Sequence, residues 1–240
     1  MARPAKKSVY IALTGDLVAS KAMDPEERAE LQRHVLVKLK ERNRALDGDS
    51  LAAPLTLTAG DEIQGLFRHS DRLVETIQEL TDYLFGVVPM GETGWRHFPY
   101  LVFGVGRGHL TTDSIPAAPK QASNPALLDG PAFHRARAAL ETAQRTRTWA
   151  SFQGFGTPED DVLSALFSLM GAVRSRWGPE QGATSYRVRR HELQKSLAKE
   201  RGVSGSVVSE SLSAAHHKTL LAGEEAARKL LARLESLRDG

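Results

Sequence analysis

The 240-residue chain is 41% hydrophobic and 25% charged, the balance of an ordinary globular protein with room for one large domain or two small ones. It has no cysteine, which excludes disulfides, zinc–thiolate centres and thiol nucleophiles, and its net charge of +3 is too small to point to nucleic acid by itself. No apolar run approaches membrane-spanning length, and the basic start MARPAKK leads only into a short apolar run. The expectation is a cytoplasmic protein with no signal peptide and no membrane segment.

Val9 to Leu13 (VYIAL) is wholly apolar and predicts a strand covered on both faces. It runs into Thr14-Gly15-Asp16, so Asp16 is expected at the carboxyl end of a buried strand. Asp24-Pro25, with Glu26 and Glu27 following, has the capping carboxylate, first-turn proline and acids that open a helix. Leu31, Val35 and Leu39 recur at four-residue spacing and give that helix a buried stripe, which Asp47-Gly48-Asp49 closes into a loop.

Next comes PLTLTAGDEIQGLF. Leu55 and Leu57 alternate with Thr56 and Thr58, Gly60 and Asp61 supply a turn, and Ile63, Gly65 and Phe67 resume the alternation. Two readings stand side by side: an ordinary hairpin with a polar tip, or a tip at which Asp61 and Glu62 hold metal ions. The second gains from Asp16, 45 residues earlier (61 − 16), because neighbouring strands would bring the carboxylates together. Paired carboxylates, with waters and substrate phosphates, are the usual protein contribution to a Mg²⁺ site.

A helix capped by Ser70 follows, with Leu73, Ile77, Leu80 and Leu84 on one face. The stretch PMGETGWRHFP is loop-like, and Tyr100 to Thr112, with glycines at 104, 106 and 108, predicts another strand. The order strand, helix, strand, strand, helix, strand predicts an α+β fold: a ferredoxin-like palm (β-α-β-β-α-β with an additional helix), its helices on one face of an antiparallel sheet. Asp113 to Leu128 reads as a long loop. Gly130-Pro131 then introduces the additional helix, with Phe133, Ala136, Leu140 and Ala143 inward, and Trp149 to Phe155 is a candidate last strand. Residues 1–156 are expected to form this first domain.

From 157 to 240 the texture is helix after helix, expected to form a small all-α domain. Leu163, Leu166, Phe167, Met170 and Val173 make one apolar face, their helical spacing pointing to core, and Gly178-Pro179 ends that helix. His191 to Lys199 reads as a helix with Leu193 and Leu197 inward; a glycine turn and Val203 follow, then a helix from Ser204 or Gly205 carrying Val207, Val208 and Leu212. The final helix, from Glu224 to Arg238, packs through Ala227, Leu230, Leu231 and Leu234. Ala198, Gly202 and Val203 between two short helices have the features of a helix-turn-helix, which any two-helix hairpin can also present. Arg187, Arg189, Arg190, Lys195, Lys199 and Arg201 are candidate phosphate contacts, or else a solvated face. The second helix offers Ser204, Ser206, Ser209, Ser213 and Glu210 with no arginine to read guanine, so DNA and a protein partner are both open.

The segments VYIALTGD, TLTAGDEIQGLF and LVFGVGRGHLTT…DGPAFHRARAAL together resemble the SatD family of bacterial proteins, over nearly the whole chain including the helix-turn-helix. Through that family the first domain is similar to the palms of class III nucleotidyl cyclases and GGDEF diguanylate cyclases. There, an aspartate ending the first strand and an acid at the hairpin tip bind two Mg²⁺ ions. The resemblance implies Asp16, Asp61 and Glu62 as ligands of Mg²⁺ (or Mn²⁺). It implies a nucleoside triphosphate or other nucleotide against Gly15, Leu17, Val18, Ala19, Ser20, Gly60 and Arg135, and Asp16, Asp61, His134 and Arg137 as catalytic. A homodimer is implied in the same way. The sequence departs from the cyclase pattern at three places: Leu57 where a base-reading lysine stands four residues before the hairpin aspartate, His134 for an asparagine, and Ala138 for an arginine, with Arg137 displaced by one. His134 is then either a ligand contact or an ordinary satisfied polar residue of a helix surface.

The expected function is a Mg²⁺-dependent nucleotide-binding palm, a nucleotidyl cyclase or nucleotidyltransferase if active, fused to a DNA-binding helix-turn-helix. The rival is a transcription regulator of the SatD type that keeps the palm as a nucleotide sensor or dimerisation scaffold. A nucleic-acid platform on the sheet ranks last, since 6% aromatic content offers few rings for base stacking.

Overall fold

The computed structural model describes residues 8–18, 23–46, 49–58, 61–87, 101–111 and 124–239. In chain order these hold β1 (Tyr10–Leu17), α1 (Pro25–Ala45), β2 (Leu51–Thr58), β3 (Glu62–Phe67), α2 (Leu73–Val87) and β4 (Leu101–Gly108). A 3₁₀ turn (Pro125–Leu127), α3 (Pro131–Thr146) and β5 (Ala150–Gln153) come next. The remainder is helical: α4 (Thr157–Arg174), α5 (Pro179–Arg189), α6 (Gln194–Arg201), α7 (Gly205–Ala214) and α8 (His217–Asp239). The loop-like PMGETGWRHFP stretch, Tyr100, and 112–123 lie outside the described residues.

The strands form one mixed α+β sheet in the order β2-β3-β1-β4-β5, antiparallel except for β5, which runs parallel to β4. β1 is central, as its apolar sequence requires, and runs further than the apolar pentad. Gly15, Asp16 and Leu17 still pair with β4, and Gly15 and Asp16 also pair with β3. Its odd-numbered residues Ile11, Leu13 and Leu17 pack with Leu31, Val35 and Leu39 of α1 and Ile77 and Leu80 of α2. Burying each such side chain contributes roughly 1.5–3 kcal/mol. The α1 start is fixed by Asp24, whose Oδ1 accepts from the amides of Glu26 and Glu27, both at 2.9 Å.

The helices of the β-α-β-β-α-β unit, α1 and α2, share one face, and the additional helix takes the other. α3 covers the opposite side of the sheet, where Ala12 and Leu66 meet Ala132, Phe133 and Ala136. The glycine stripe of β4 allows its close approach there. A Cβ on Gly104 or Gly106 would collide with the main chain of α3 at Ala136 or Ala132, so the bare strand lets the helix backbone settle directly on the sheet. Each edge strand has main-chain groups capped by a helix side chain. On β2 the Asn43 side chain donates to Leu55 O (2.8 Å) and accepts from Leu55 N (2.9 Å); on β5 the Ser164 hydroxyl accepts from Phe152 N (3.0 Å).

The apolar core runs on through 156. Trp149, Phe152 and Phe155 pack with Leu163 and Phe167 of α4 and, in the same cluster, with Leu220, Leu231 and Leu234 of α8. Across this junction lies a buried set of four charges: Asp82 of α2, Arg174 of α4, Arg189 of α5 and Glu224 of α8. The Arg174 guanidinium lies 4.4 Å from the ring centre of Trp149 and 5.3 Å from that of Trp177. α5 is a helix that apolar spacing does not announce: it buries Gly182, Thr184 and Ser185. α8 starts seven residues before the expected Glu224, at His217, and carries Gly223 inside it, close against Met170 and Leu166 of α4.

Candidate functional site

β1 and β3 run antiparallel with Asp16 directly opposite Glu62, near one end of the ladder. Residues paired across an antiparallel ladder point to the same face, so both carboxylates stand on the side covered by α3. Two side chains from that helix reach them. Arg137 Nη2 donates to Glu62 Oε1 at 2.7 Å, and Gln144 Nε2 donates to Asp16 Oδ2 at 2.7 Å. Arg137 and Gln144 are seven residues apart, two helical turns, and therefore share one face of α3. Gln64, two residues along β3, also donates to Glu62 Oε1 at 2.6 Å.

Asp61 takes a different direction. Its carbonyl accepts from Leu17 N at 3.3 Å, which makes it the next rung of the ladder, but its side chain is turned to α1, where Arg28 Nη2 lies 3.4 Å from Oδ2. It is buried, whereas Asp16 and Glu62 are half-buried. The register thus gives Asp16 a carboxylate partner on its own face in Glu62, one residue beyond Asp61.

The other expected contacts divide. Gly15 is packed against the Phe103 ring, and Leu17 is core. Val18 packs against Val102, Leu140 and Ala143. Ala19, Ser20 and Gly60 lie outside the described residues. His134 meets Asp129 through Nε2 at 2.8 Å, and Arg135 Nη1 donates to the carbonyl of Arg107 at 2.6 Å, so both are engaged away from the acidic pair. Two residues at the site were not anticipated. Gln144 was discoverable from its seven-residue spacing to Arg137; Arg28 had no local signal, sitting in a run of charged residues at the start of α1.

The donor set suits a hard cation. Asp16 and Glu62 offer carboxylate oxygens only, from adjacent strands, which matches Mg²⁺ held by one or two carboxylates with phosphates and water completing the shell. Among the described residues no group of three or more His, Asp or Glu side chains is gathered closely enough to hold a metal by itself.

In the C-terminal part, α6 ends at Gly202 in the left-handed conformation (φ 65°), which glycine adopts without strain, and Ser204 caps α7 by accepting from Val207 N at 3.4 Å. Of the candidate phosphate contacts, Arg190 donates to Glu41 of α1 at 2.8 Å, and Arg201 donates to Thr184 at 2.6 Å and pairs with Glu180 at 3.0 Å. The Arg190 hydrogen bond holds the Glu41 carboxyl below its usual range. Arg187 is forked between Glu192 and Glu200, and the hydrogen bonds to them raise its affinity for its proton. Lys195, Lys199, Ser204, Ser206 and Ser209 are exposed.

No helix among the described residues is long and apolar enough to cross a membrane. Comparison with the curated proteins and with solved structures returns no match to either. Comparison with protein families returns the SatD family, matched over residues 10–231, from the first strand to near the end of the last helix. The chain belongs to the SatD family.

Proposed function

We propose that the sheet is a ferredoxin-like palm that binds a nucleoside triphosphate together with Mg²⁺ at the Asp16–Glu62 end of β1 and β3. The observation that carries this reading is the register itself. Two carboxylates from neighbouring strands stand face to face, with a guanidinium and an amide of one helix directed at them. Asp16 and Glu62 would hold the cation, and Arg137, released from Glu62, would neutralise phosphate charge with a two-pronged donor. Gln144 keeps Asp16 oriented by donating to one of its carboxylate oxygens. A bound Mg²⁺ would supply charge neutralisation at the phosphates. The strand order β2-β3-β1-β4 and the α1 and α2 crossovers support the palm reading, and the α6–turn–α7 unit, with exposed Lys195 and Lys199 beside the serines of α7, supports a helix-turn-helix that contacts DNA backbone.

The test is incubation with each nucleoside triphosphate and Mg²⁺ or Mn²⁺, measuring bound nucleotide and released pyrophosphate. Binding that Asp16→Ala abolishes supports the palm site; no metal-dependent binding to the wild type contradicts it. Pyrophosphate release would add turnover, in which a ribose 3′-oxygen loses its proton, bonds to the α-phosphorus, and the bond to the β-phosphate oxygen breaks.

A second reading, a nucleotide sensor without turnover, is favoured by one specific feature. His134, where the cyclases keep a transition-state asparagine, is bonded to Asp129, and Arg135, the expected nucleotide contact, donates to the Arg107 carbonyl. Metal-dependent binding with no pyrophosphate would select this reading.

A further inference from the structure

We infer that α4 and the adjoining flank of α8 are the contact surface of a symmetric dimer, in which α4 of a second copy of this chain lies antiparallel on the first. A helix on a protein surface ordinarily turns charged or polar residues outward, and one that is apolar all round belongs in an interior. α4 departs from that pattern. From Val162 to Val173, VLSALFSLMGAV, it carries no charged residue. Leu163, Phe167 and Met170 face the core. Away from them stand Val162, Ala165, Leu169 and Ala172, all exposed, at spacings of three, four and three residues. Val162 is 53% exposed and Leu169 67%. This is the spacing by which one helix packs lengthwise along another.

The apolar surface is two helices wide. Trp177, just past α4, donates through Nε1 to Ala215 O, just before α8, and Gly223 of α8 packs against Met170 and Leu166. The two helices therefore run antiparallel. Ala226, Leu230 and Leu237 follow Gly223 at steps of three, four and seven residues and share its side of α8. Ala226 and Leu237 are exposed; Leu230, like Leu166 and Val173 of α4, is half-buried. A helix pair with an apolar outer face is one half of a four-helix bundle.

A second copy fits this surface because its charges are arranged to meet themselves in reverse. Asp161 precedes the charge-free run and Arg176 follows it, both exposed. In a two-fold pair with antiparallel helices, the acidic start of each α4 lies beside the basic end of the other, so the same attraction is made twice. A parallel pair would set acid against acid and base against base. None of these residues belongs to the Asp16–Glu62 site or to the α6–turn–α7 unit, so the surface stands whether or not the nucleotide and DNA readings do.

Sedimentation velocity over a concentration series measures self-association of the wild type, Leu169→Glu, Asp161→Arg and Arg176→Glu. The wild type is expected to be a dimer at about 10 μM and above. Leu169→Glu, at a position open to solvent in the single chain, is expected to keep the wild-type circular dichroism spectrum and to raise the dissociation constant at least about 100-fold. Asp161→Arg and Arg176→Glu each place like charges together at both ends of the pair, and each alone is expected to weaken association roughly 10-fold. An equimolar mixture of those two variants sets opposite charges together again and is expected to regain wild-type affinity. A wild type that stays monomeric, a dimer indifferent to Leu169→Glu, or a mixture that associates no better than either variant alone overturns the inference and leaves the palm reading as it was.

Discussion

Asp82 of α2 and Arg174 of α4 meet at 2.7 Å with 2% and 0% of their side chains exposed, and each is also in contact with a second buried partner of opposite charge. Two acids and two bases balance there, so the set stands only as a whole. Burial pulls the Arg174 proton affinity down, and Asp82 opposes that. Asp82→Ala would leave two arginines facing Glu224 and cost about 3–5 kcal/mol. The double variant Asp82→Leu with Arg174→Met restores the charge balance and should recover a large part of that loss. Chemical denaturation of the three proteins reads both effects; a single variant within 1 kcal/mol of wild type would mean the quartet does not hold α4, α5 and α8 against α2.

The seat of α3 predicts a steric effect of the opposite kind. At Gly106 any side chain meets the main chain of Ala132 and Arg135 rather than the movable end of another side chain. Gly106→Val should cost about 3 kcal/mol, visible as a lower thermal midpoint. Because α3 carries Arg137 and Gln144, the same change should weaken the proposed metal binding. Gly205→Ala, where an added Cβ meets nothing within 4 Å, is the control expected to leave both unchanged.

His217 predicts acid sensitivity. It is buried at the start of α8, 3.0 Å from the Ser185 hydroxyl, and burial with Arg189 nearby pushes its imidazole down to about 4. An ordinary histidine in the unfolded chain titrates near 6.5. Between those values the unfolded chain takes up a proton that the fold refuses, so stability falls as pH drops from about 6.5 toward 4 and this contribution is constant below that. From pH 6.5 to pH 5 the loss from this group is about 2 kcal/mol. Unfolding free energies at the two pH values should differ by that much less in His217→Gln; an equal pH slope in both proteins would contradict it.

Asn43 answers for the β2 edge. Its amide makes both hydrogen bonds to Leu55 that a further strand would otherwise make. Asn43→Ala should destabilise by about 1–3 kcal/mol and raise light scattering on concentration, since the exposed edge is then open to another chain. A soluble, equally stable variant would refute this.

The sequence announced the elements whose burial is apolar and periodic. β1 is a continuous apolar run, α2 and α3 carry regular stripes, and the α6–turn–α7 boundary is marked by Gly202 and Ser204. α5 was illegible because it is held by polar means: Thr184 bonds Arg201, Ser185 bonds His217, and Arg189 bonds Gln78 and Glu224. None of these leaves a hydrophobic period to read. The carboxylates at 16, 61 and 62 were legible as residue types, but which hairpin acid shares a face with Asp16 depends on a one-residue register, and strand register is set by pairing rather than by composition. Gln144 and Arg28 reach the site from helices 128 residues after Asp16 and 33 before Asp61, contacts that exist only once the sheet is assembled.

The proposed sharing of a cation by Asp16 and Glu62 is tested most directly by anomalous diffraction from crystals grown with Mn²⁺ and a non-hydrolysable triphosphate. The expected result is a Mn²⁺ peak about 2.1 Å from oxygens of both Asp16 and Glu62, with Arg137 turned from Glu62 to a phosphate. A map without that peak, in which Arg137 still holds Glu62 and Gln144 still holds Asp16, would contradict it.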